Sequence, residues 1–181
     1  MKRLHFLVEG PTEKSFVDEV LAGHLYQFGI FCDARLLTTS RDWSEGTFYK
    51  GGITFEIESQ IKVDHNVDSF FTTMVDYYGL PKDFPGYPAA GSVAAPRVVV
   101  QGIETQFGLD VASMFPSLNV AGHFVPNVMC HEFESLIFSD LSQLAFWYPN
   151  RISEISCLSS QLAQAGNDPE LLNSSKQTAP S

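Results

Sequence analysis

Five carboxylates stand where they could share a divalent cation: Glu9, Glu13, Asp76, Glu132 and Glu134. Glu9 and Asp76 each follow an apolar run of strand length, and Glu13 comes four residues after Glu9. Hard cations such as Mg²⁺ prefer oxygen ligands and usually take one or two carboxylates while keeping several waters. The five acids could therefore hold one or two ions, and two ions about 4 Å apart can clamp the attacking and leaving oxygens of a phosphodiester in line.

Each of these acids also has a structural explanation. A glutamate in the first turn of a helix, as expected for Glu13, can simply complement the helix dipole, a contribution of about 0.3–1 kcal/mol. An acid that follows a strand, such as Glu9 or Asp76, can cap or solvate the edge of the sheet. For one residue taken alone both explanations stay open, but three separate segments that end in acids favour a shared site.

His131 stands directly before Glu132. It could act as a general base, contact a phosphate or bind a metal, or it could be a structural hydrogen-bonding residue. The run HEFE is not the HExxH zinc motif, because position 135 is serine. The chain has no GxxxxGK[ST] motif, so we do not expect it to bind ATP as a P-loop enzyme does.

Other side chains could contact a nucleic-acid substrate. Tyr77 and Tyr78 could stack on a base, or they could pack their proline-rich loop onto the domain. Arg35, Arg41 and Lys50 could contact phosphates, or they could be solvated surface charges.

The spacing of apolar residues predicts the elements that position these side chains. A buried strand leads to Glu9, the chain turns at Gly10 and Pro11, and apolar residues then recur at helical spacing until Gly29. The predicted strands cover residues 4–8, 30–37, 69–75 and 122–130. The predicted helices cover residues 11–28, 55–63, 96–114, 140–147 and 152–163. Residues 38–52 and the proline-rich stretch before Pro96 are predicted loops.

This alternation of strands and helices predicts an α/β fold with a mostly parallel sheet of about four strands, flanked by helices. Right-handed crossovers place the carboxyl ends of all the strands at one edge, which is where open parallel sheets bind ligands. Glu9, Asp76 and the segment 130–134 should therefore meet at that edge.

The composition of the chain indicates the cellular environment in which such a site would work. With 11 Lys and Arg against 21 Asp and Glu, the net charge is −10, which is the wrong sign for a protein that grips nucleic acid through a basic surface. Three cysteines without a CxxC pair indicate reduced thiols, as in a cytosol. No apolar segment is long enough to cross a bilayer, so we expect a cytoplasmic protein without a membrane partner.

Three strings in this order resemble a bacterial domain-of-unknown-function family with a Toprim-like fold: VEGPTE (8–13), VDYYGLP (75–81) and HEFESLIF (131–138). That family is similar to the Toprim nuclease half of the OLD (overcoming lysogenization defect) proteins. The later strings PELLN (169–173) and TAPS (178–181) also resemble family strings, so the resemblance covers nearly the whole chain.

The resemblance implies a Toprim-like, Rossmann-like core that uses Mg²⁺ or Mn²⁺ to cut nucleic acid. Glu9 would match the Toprim glutamate, and Glu13 the acid four residues later in the OLD-like variant. Asp76 would match the first aspartate of the usual Asp-x-Asp. Relatives of the family are paired with an ABC-type ATPase in phage-defence systems, which implies a similar partner here.

Two departures from the family pattern matter. Position 78 is tyrosine where Toprim enzymes often carry a second aspartate, so Glu132 or Glu134 would have to supply that ligand. The family pattern also continues with basic residues after TAPS. We therefore expect a Toprim-like domain over residues 1–140 and an incomplete C-terminal helical extension over residues 141–181.

The first hypothesis is a Mg²⁺- or Mn²⁺-dependent nuclease that acts on DNA or RNA. Its catalytic residues would be Glu9, Asp76 and His131. Its metal ligands would be Glu9, Glu13, Asp76, Glu132 and Glu134. The alternative is a non-catalytic Toprim-like module that docks on a partner ATPase, and a third option is a phosphohydrolase that acts on a small nucleotide.

Overall fold

Parallel strands form one sheet in the computed structural model, which describes residues 1–37, 52–89, 95–131 and 133–169. Within these residues the strands are β1 (Lys2–Val8), β2 (Ile30–Leu36), β3 (Ser69–Asp76), β4 (Phe124–Val125) and β5 (Val128–Met129). The α-helices are α1 (Pro11–Phe16), α2 (Ala22–Tyr26), α3 (Thr54–Val63), α4 (Pro96–Met114), α5 (Val120–His123), α6 (Leu141–Trp147) and α7 (Ile152–Gln164). A π-helical turn, Val17–Leu21, joins α1 to α2. Short 3₁₀ helices lie at Tyr77–Gly79, Pro116–Leu118, Phe133–Ser139 and Pro149–Arg151.

These elements confirm the predicted α/β class, the parallel sheet and the helices that follow it. The helix that begins at Pro96 ends at Met114, as the apolar spacing predicts. Residues 38–51 of the first predicted loop lie outside the described residues. The chain divides into two compact units, Met1–Met129 and Cys130–Ser181, and each is described by itself. The domain boundary expected after residue 140 stays a prediction.

The sheet has the order β2-β1-β3-β4, and β5 also pairs with β3, beyond the end of β4. The chain therefore runs from β1 to its neighbour β2, crosses over β1 to reach β3 on the other side, and then continues to β4. Since each parallel connection is right-handed, α1 and α2 lie on one face of the sheet and α3 and α4 on the other. Phe107 of α4 packs edge-on against Phe124 of β4, with the ring centroids 5.1 Å apart.

The two units differ in how much apolar surface they bury. In the first unit, the spacing of four residues in α4 buries Ile103, Phe107 and Val111 completely. In α7 of the second unit, by contrast, none of the residues is buried. The hydrophobic core that supports the carboxyl ends of β1 and β3 therefore belongs to the first unit.

The fourth predicted strand, residues 122–130, is interrupted in the structure. It starts as the helical turn α5, and Pro126 and Asn127 separate β4 from β5. Proline has no backbone N–H to donate to a ladder. Thr73 of β3 bridges the gap: its hydroxyl donates to the Asn127 carbonyl at 2.7 Å, and the Asn127 side-chain amide donates to the Thr73 carbonyl at 2.9 Å. These hydrogen bonds between Thr73 and Asn127 hold β5 beside the end of β3.

A buried histidine joins three elements on the α3 face of the sheet. His5 of β1 is 8 % exposed, and its ring stacks on Phe71 of β3. Its Nδ1 lies 2.9 Å from an oxygen of Asp33 on β2, and its Nε2 lies 3.0 Å from an oxygen of Asp64, directly after α3. An ionised carboxylate can only accept hydrogen bonds, so both ring nitrogens must donate and His5 is an imidazolium.

The pKa values around His5 agree with this assignment. The hydrogen bond to Asp33 raises the pKa of His5 above 6.5. Burial acts in the opposite direction and lowers this pKa. The charges of Asp33 and Asp64 and the hydrogen bond to Asp64 raise it further. Burial acts to raise the pKa of Asp64, but hydrogen bonds from Ser69, His5 and the Asn66 backbone, together with the Arg3 charge, outweigh it and lower the pKa.

We expect the substitution His5→Gln to lower the free energy of unfolding at pH 6 by about 1–3 kcal/mol, because two carboxylates lose a charged donor. The folded-state pKa of His5 is raised, so its stabilisation is complete below the unfolded pKa near 6.5 and is lost as the pH rises through the higher folded value. The unsubstituted protein should therefore lose stability as the pH rises above about 6.5, as measured by urea denaturation. The variant should lose less over the same range.

The matched control is His65→Gln, since His65 is exposed and directly follows Asp64. It should leave both the stability and its pH dependence within error of the unsubstituted protein. Equal pH dependence in the protein and in the His5 variant would contradict the buried imidazolium.

Candidate functional site

The carboxyl ends of β1 and β3 form the topological switch point of the sheet. These two strands are neighbours, yet the connections that leave them run to opposite faces. Open parallel sheets bind ligands in the crevice beyond such a pair of strand ends. Val8 of β1 pairs with Met74 of β3, so Glu9 follows one strand where the other reaches Val75 and Asp76. The structure therefore places the Glu9 carboxylate near the backbone of Asp76 at this edge of the sheet.

Backbone and side-chain contacts fix Glu9 against β3. The Glu9 N–H donates to the Met74 carbonyl at 3.3 Å and extends the ladder one residue past Val8. The Asp76 N–H points to the Glu9 carboxylate, at a long contact of 3.5 Å to Oε2. These contacts orient the Glu9 carboxylate across the end of β3.

The carboxyl group of Glu9 sits in surroundings that disfavour its charge. Part of the Glu9 residue reaches solvent, but burial of its carboxyl group raises the pKa of that group. The hydrogen bond from the Asp76 backbone lowers the pKa and offsets part of this rise. The negative charge of Glu13 raises the pKa further. Within the described residues, neither Glu9 nor Glu13 forms an ion pair with a lysine, arginine or histidine. The site therefore gathers negative charge that these residues leave uncompensated.

Two glycines, Gly10 and Gly79, lie directly beside these carboxylates. A Cβ added to Gly10 would stand 2.7 Å from Glu13 Oε2, so the Glu13 carboxylate folds back over Gly10. A Cβ added to Gly79 would stand 3.5 Å from Glu9 Oε1, in ordinary van der Waals contact. Sequence reasoning assigned neither glycine to the site. Their positions beside the acids are visible in EGPTE and DYYG, but the contacts arise from tertiary packing.

The loop after β3 is held in place by side chains of the loop itself. Leu80 and Phe84 are buried, and the Leu80 N–H donates to the Tyr77 carbonyl at 3.2 Å. Tyr77 stacks on Tyr87, with the ring centroids 5.7 Å apart, whereas Tyr78 is 47 % exposed. Of the two tyrosines, Tyr77 packs the loop and Tyr78 is the one open to solvent.

Gly86 lets the same loop lie directly on α4. Its φ of 79° is in the left-handed region that favours glycine. A Cβ at this position would also come within 2.9 Å of the Gly102 carbonyl oxygen and the Ile103 Cα. The loop that borders the site therefore depends on a close backbone approach that only glycine permits.

The remaining predicted residues lie in different places. Arg35 is exposed on β2, in register with Leu7 and near the carboxyl end of the sheet. Arg41, Lys50 and Glu132 lie outside the described residues, and the side chain of Glu134 is not described. His131 belongs to the second unit and is buried there, with 2 % exposure.

Within residues 1–37, 52–89, 95–131 and 133–169, no three His, Cys, Asp or Glu side chains form a group that could hold a metal ion. Among the described residues, the Glu9 carboxylate lies at the backbone N–H of Asp76, and Glu13 is close enough to affect the pKa of Glu9. A cation that keeps most of its waters needs only one or two such ligands.

Comparison with known proteins places the chain in a family. A family model described as a domain of unknown function, DUF4276, matches residues 8–181. The chain belongs to the DUF4276 family. The DUF4276 match includes every candidate site residue from Glu9 to Glu134. No curated protein and no solved structure gave a match.

The helices of this DUF4276 chain were also compared with the requirements of a membrane span. Among the described residues, none of the helices combines the length and the apolar character that crossing a bilayer requires.

The proximity of the two glutamates can be tested before any ligand is known. We expect Glu13→Gln to lower the pKa of the Glu9 carboxyl, because the substitution removes a neighbouring negative charge. NMR titration of the side-chain carboxyl carbon of Glu9 measures this change. Glu19→Gln, an exposed acid that follows later in the same helical stretch, is the matched control and should leave the titration unchanged. A Glu9 titration that is the same in both variants would contradict the arrangement.

Proposed function

We propose that the chain is a phosphodiester hydrolase that requires a divalent metal ion, with its site beyond the carboxyl ends of β1 and β3. The observation that carries the proposal is the Glu9 carboxylate at the Asp76 backbone N–H, beyond the strand ends and next to Glu13. Glu9 and Glu13 form no ion pair among the described residues, and their negative charge is what a Mg²⁺ or Mn²⁺ ion would neutralise.

The donor set of this site fits such an ion. All three candidates are carboxylates, the ligand type that Mg²⁺ and Mn²⁺ prefer. Glu9 would hold the metal together with one further carboxylate, Glu13 or Asp76, and the metal when bound would supply positive charge at the scissile phosphate and activate water. A bound cation would also offset the burial and the negative charge that raise the pKa of Glu9.

The chain's own groups would prepare the site for this reaction. The Asp76 N–H makes a long contact of 3.5 Å to the Glu9 carboxylate, and Gly79 lies next to that carboxylate. Arg35, which is exposed on the neighbouring strand, would contact a phosphate of the substrate, and Tyr78 would stack on a base. The roles predicted for His131, Glu132 and Glu134 stay predictions.

The resemblance to Toprim nucleases narrows the proposal further. On that basis the substrate is DNA or RNA, the cofactor is Mg²⁺ or Mn²⁺, and the protein is an effector of phage defence that works with an ABC-type ATPase. The net charge of −10 supports a dependence on metal or on a partner for binding nucleic acid.

We expect Glu9→Gln and Asp76→Asn each to reduce Mn²⁺-dependent cleavage of nucleic acid by at least about 100-fold, a loss typical of a group that stabilises transition-state charge. Glu9→Gln should not lower the free energy of unfolding at neutral pH, because the folded state already disfavours the Glu9 charge. A nuclease assay with purified full-length chain, together with urea denaturation, measures both effects.

Asp68→Asn is the matched control, since Asp68 is exposed at the opposite end of β3, directly before Ser69. It should keep full cleavage. Cleavage that survives both Glu9→Gln and Asp76→Asn would remove the assignment of the site.

A second candidate function is a non-catalytic module that docks on a partner. Exposed aromatic residues favour it: Phe146, Trp147 and Tyr148, at the end of α6, are 74 %, 72 % and 59 % exposed. Contiguous exposed apolar surface often marks a protein interface. Calorimetry with Mn²⁺ distinguishes the two functions, since a docking module need not bind metal through Glu9, whereas the hydrolase must.

A further inference from the structure

A cavity of about 660 Å³ lies in the first unit, along the side chains of β1 and β3 on the face opposite to α3, and Glu104 of α4 also lines it. Leu4 and Phe6 of β1 line it together with Phe70, Thr72 and Met74 of β3. The register explains this grouping, because Leu4 pairs with Phe70 and Phe6 pairs with Thr72, and paired residues of parallel strands share a face. None of the lining residues is a candidate metal ligand.

The size and lining of this cavity are typical of small-molecule sites, which measure about 300–1,000 Å³ and combine apolar walls with a few polar groups. Thr72 is one of these polar groups. It is 6 % exposed, and its hydroxyl has no hydrogen-bond partner in the part of the chain that the structure describes. Since this hydroxyl is not one of the fully buried polar atoms that lack a partner, it is accessible from the cavity and makes part of the cavity wall polar.

The two ends of the cavity differ in charge. Lys2, at the start of β1, lies over the Phe70 ring with its Nζ 5.5 Å from the centroid, and it has no ion pair among the described residues. Glu104 lines the opposite end, where its carboxylate accepts the Val128 N–H at 3.0 Å. Lys2 pairs with the first residue of β2, whereas Val128 pairs with Val75 near the end of β3. The two charges are therefore separated by most of the length of the strands, roughly 20 Å at about 3.3 Å per residue.

We propose that this cavity binds a single-chain amphiphile with a carboxylate head, of the medium-chain fatty acid class. The alkyl chain would lie along Leu4, Phe6 and Met74, and its carboxylate would lie at the Lys2 end, away from the Glu104 carboxylate. Thr72, which pairs with Phe6, would lie beside the alkyl chain. This site is separate from the proposed hydrolase site, and neither proposal requires the other.

The test is calorimetry of the full chain with decanoate, below its micelle concentration. We expect one saturable site, with decanol weaker and decyltrimethylammonium without measurable binding, because Lys2 favours an anionic head. Lys2→Gln should weaken decanoate binding about fivefold, as expected for a partly exposed ion pair. Thr72→Val should leave decanoate binding unchanged, because the alkyl chain beside Thr72 has no atom that accepts a hydrogen bond.

Lys82→Gln is the matched control, since Lys82 is an exposed lysine that does not line the cavity, and it should bind decanoate like the unsubstituted protein. Sedimentation with phosphatidylglycerol vesicles separates a free carboxylate from a lipid headgroup, and the protein should stay in the supernatant. Urea denaturation shows that each variant is folded. The absence of saturable binding, equal binding of decanoate and decyltrimethylammonium, unchanged affinity in Lys2→Gln, or pelleting with the vesicles would each overturn the proposal.

Discussion

The parallel register of β1 and β3 is the constraint on which the candidate site depends. Val8 pairs with Met74, and the Glu9 N–H continues the ladder to the Met74 carbonyl, so Glu9 lies across the end of β3. Because side chains alternate between the faces of a sheet, a slip of one residue would move every β1 side chain to the other face. Such a slip would separate His5 from Asp64 and carry Glu9 away from the Asp76 backbone.

Charge is arranged differently at the two ends of these strands. Near their starts, Arg3 and His5 share Asp64, with Arg3 Nη2 2.7 Å and His5 Nε2 3.0 Å from its oxygens. These contacts bring α3 against β1 and β3, so they favour the register that the carboxyl end requires. Beyond the strand ends, by contrast, Glu9 has the negative charge of Glu13 as a neighbour, and this charge raises the pKa of Glu9. The fold thus places the cations Arg3 and His5, which are paired with acids, near one end of β1, and it places Glu9 and Glu13, which have no ion pair among the described residues, beyond the other end.

Local pattern was enough to predict the strands β1 and β3, the bounds of α4 and the neighbourhood of Glu9 and Asp76. What could not be predicted depends on distant partners. Apolar periodicity does not give the strand order, so the switch point was not visible. The break in the fourth strand depends on Asn127 bonding to Thr73, a contact across 54 residues. The roles predicted for Glu132 and Glu134 remain predictions, because the structure does not describe those side chains.

The contrast between the two groups of acids is the physical argument for function at the carboxyl end. On the α3 face of the sheet, Asp33 and Asp64 pair with the cation His5 and so serve the fold. Glu9 and Glu13 have no such partner among the described residues, and burial raises the pKa of Glu9. A glutamine at either position would avoid the charge repulsion without losing the shape of the side chain. Carboxylates kept charged in such surroundings are better explained by a ligand that carries positive charge than by the stability of the sheet edge.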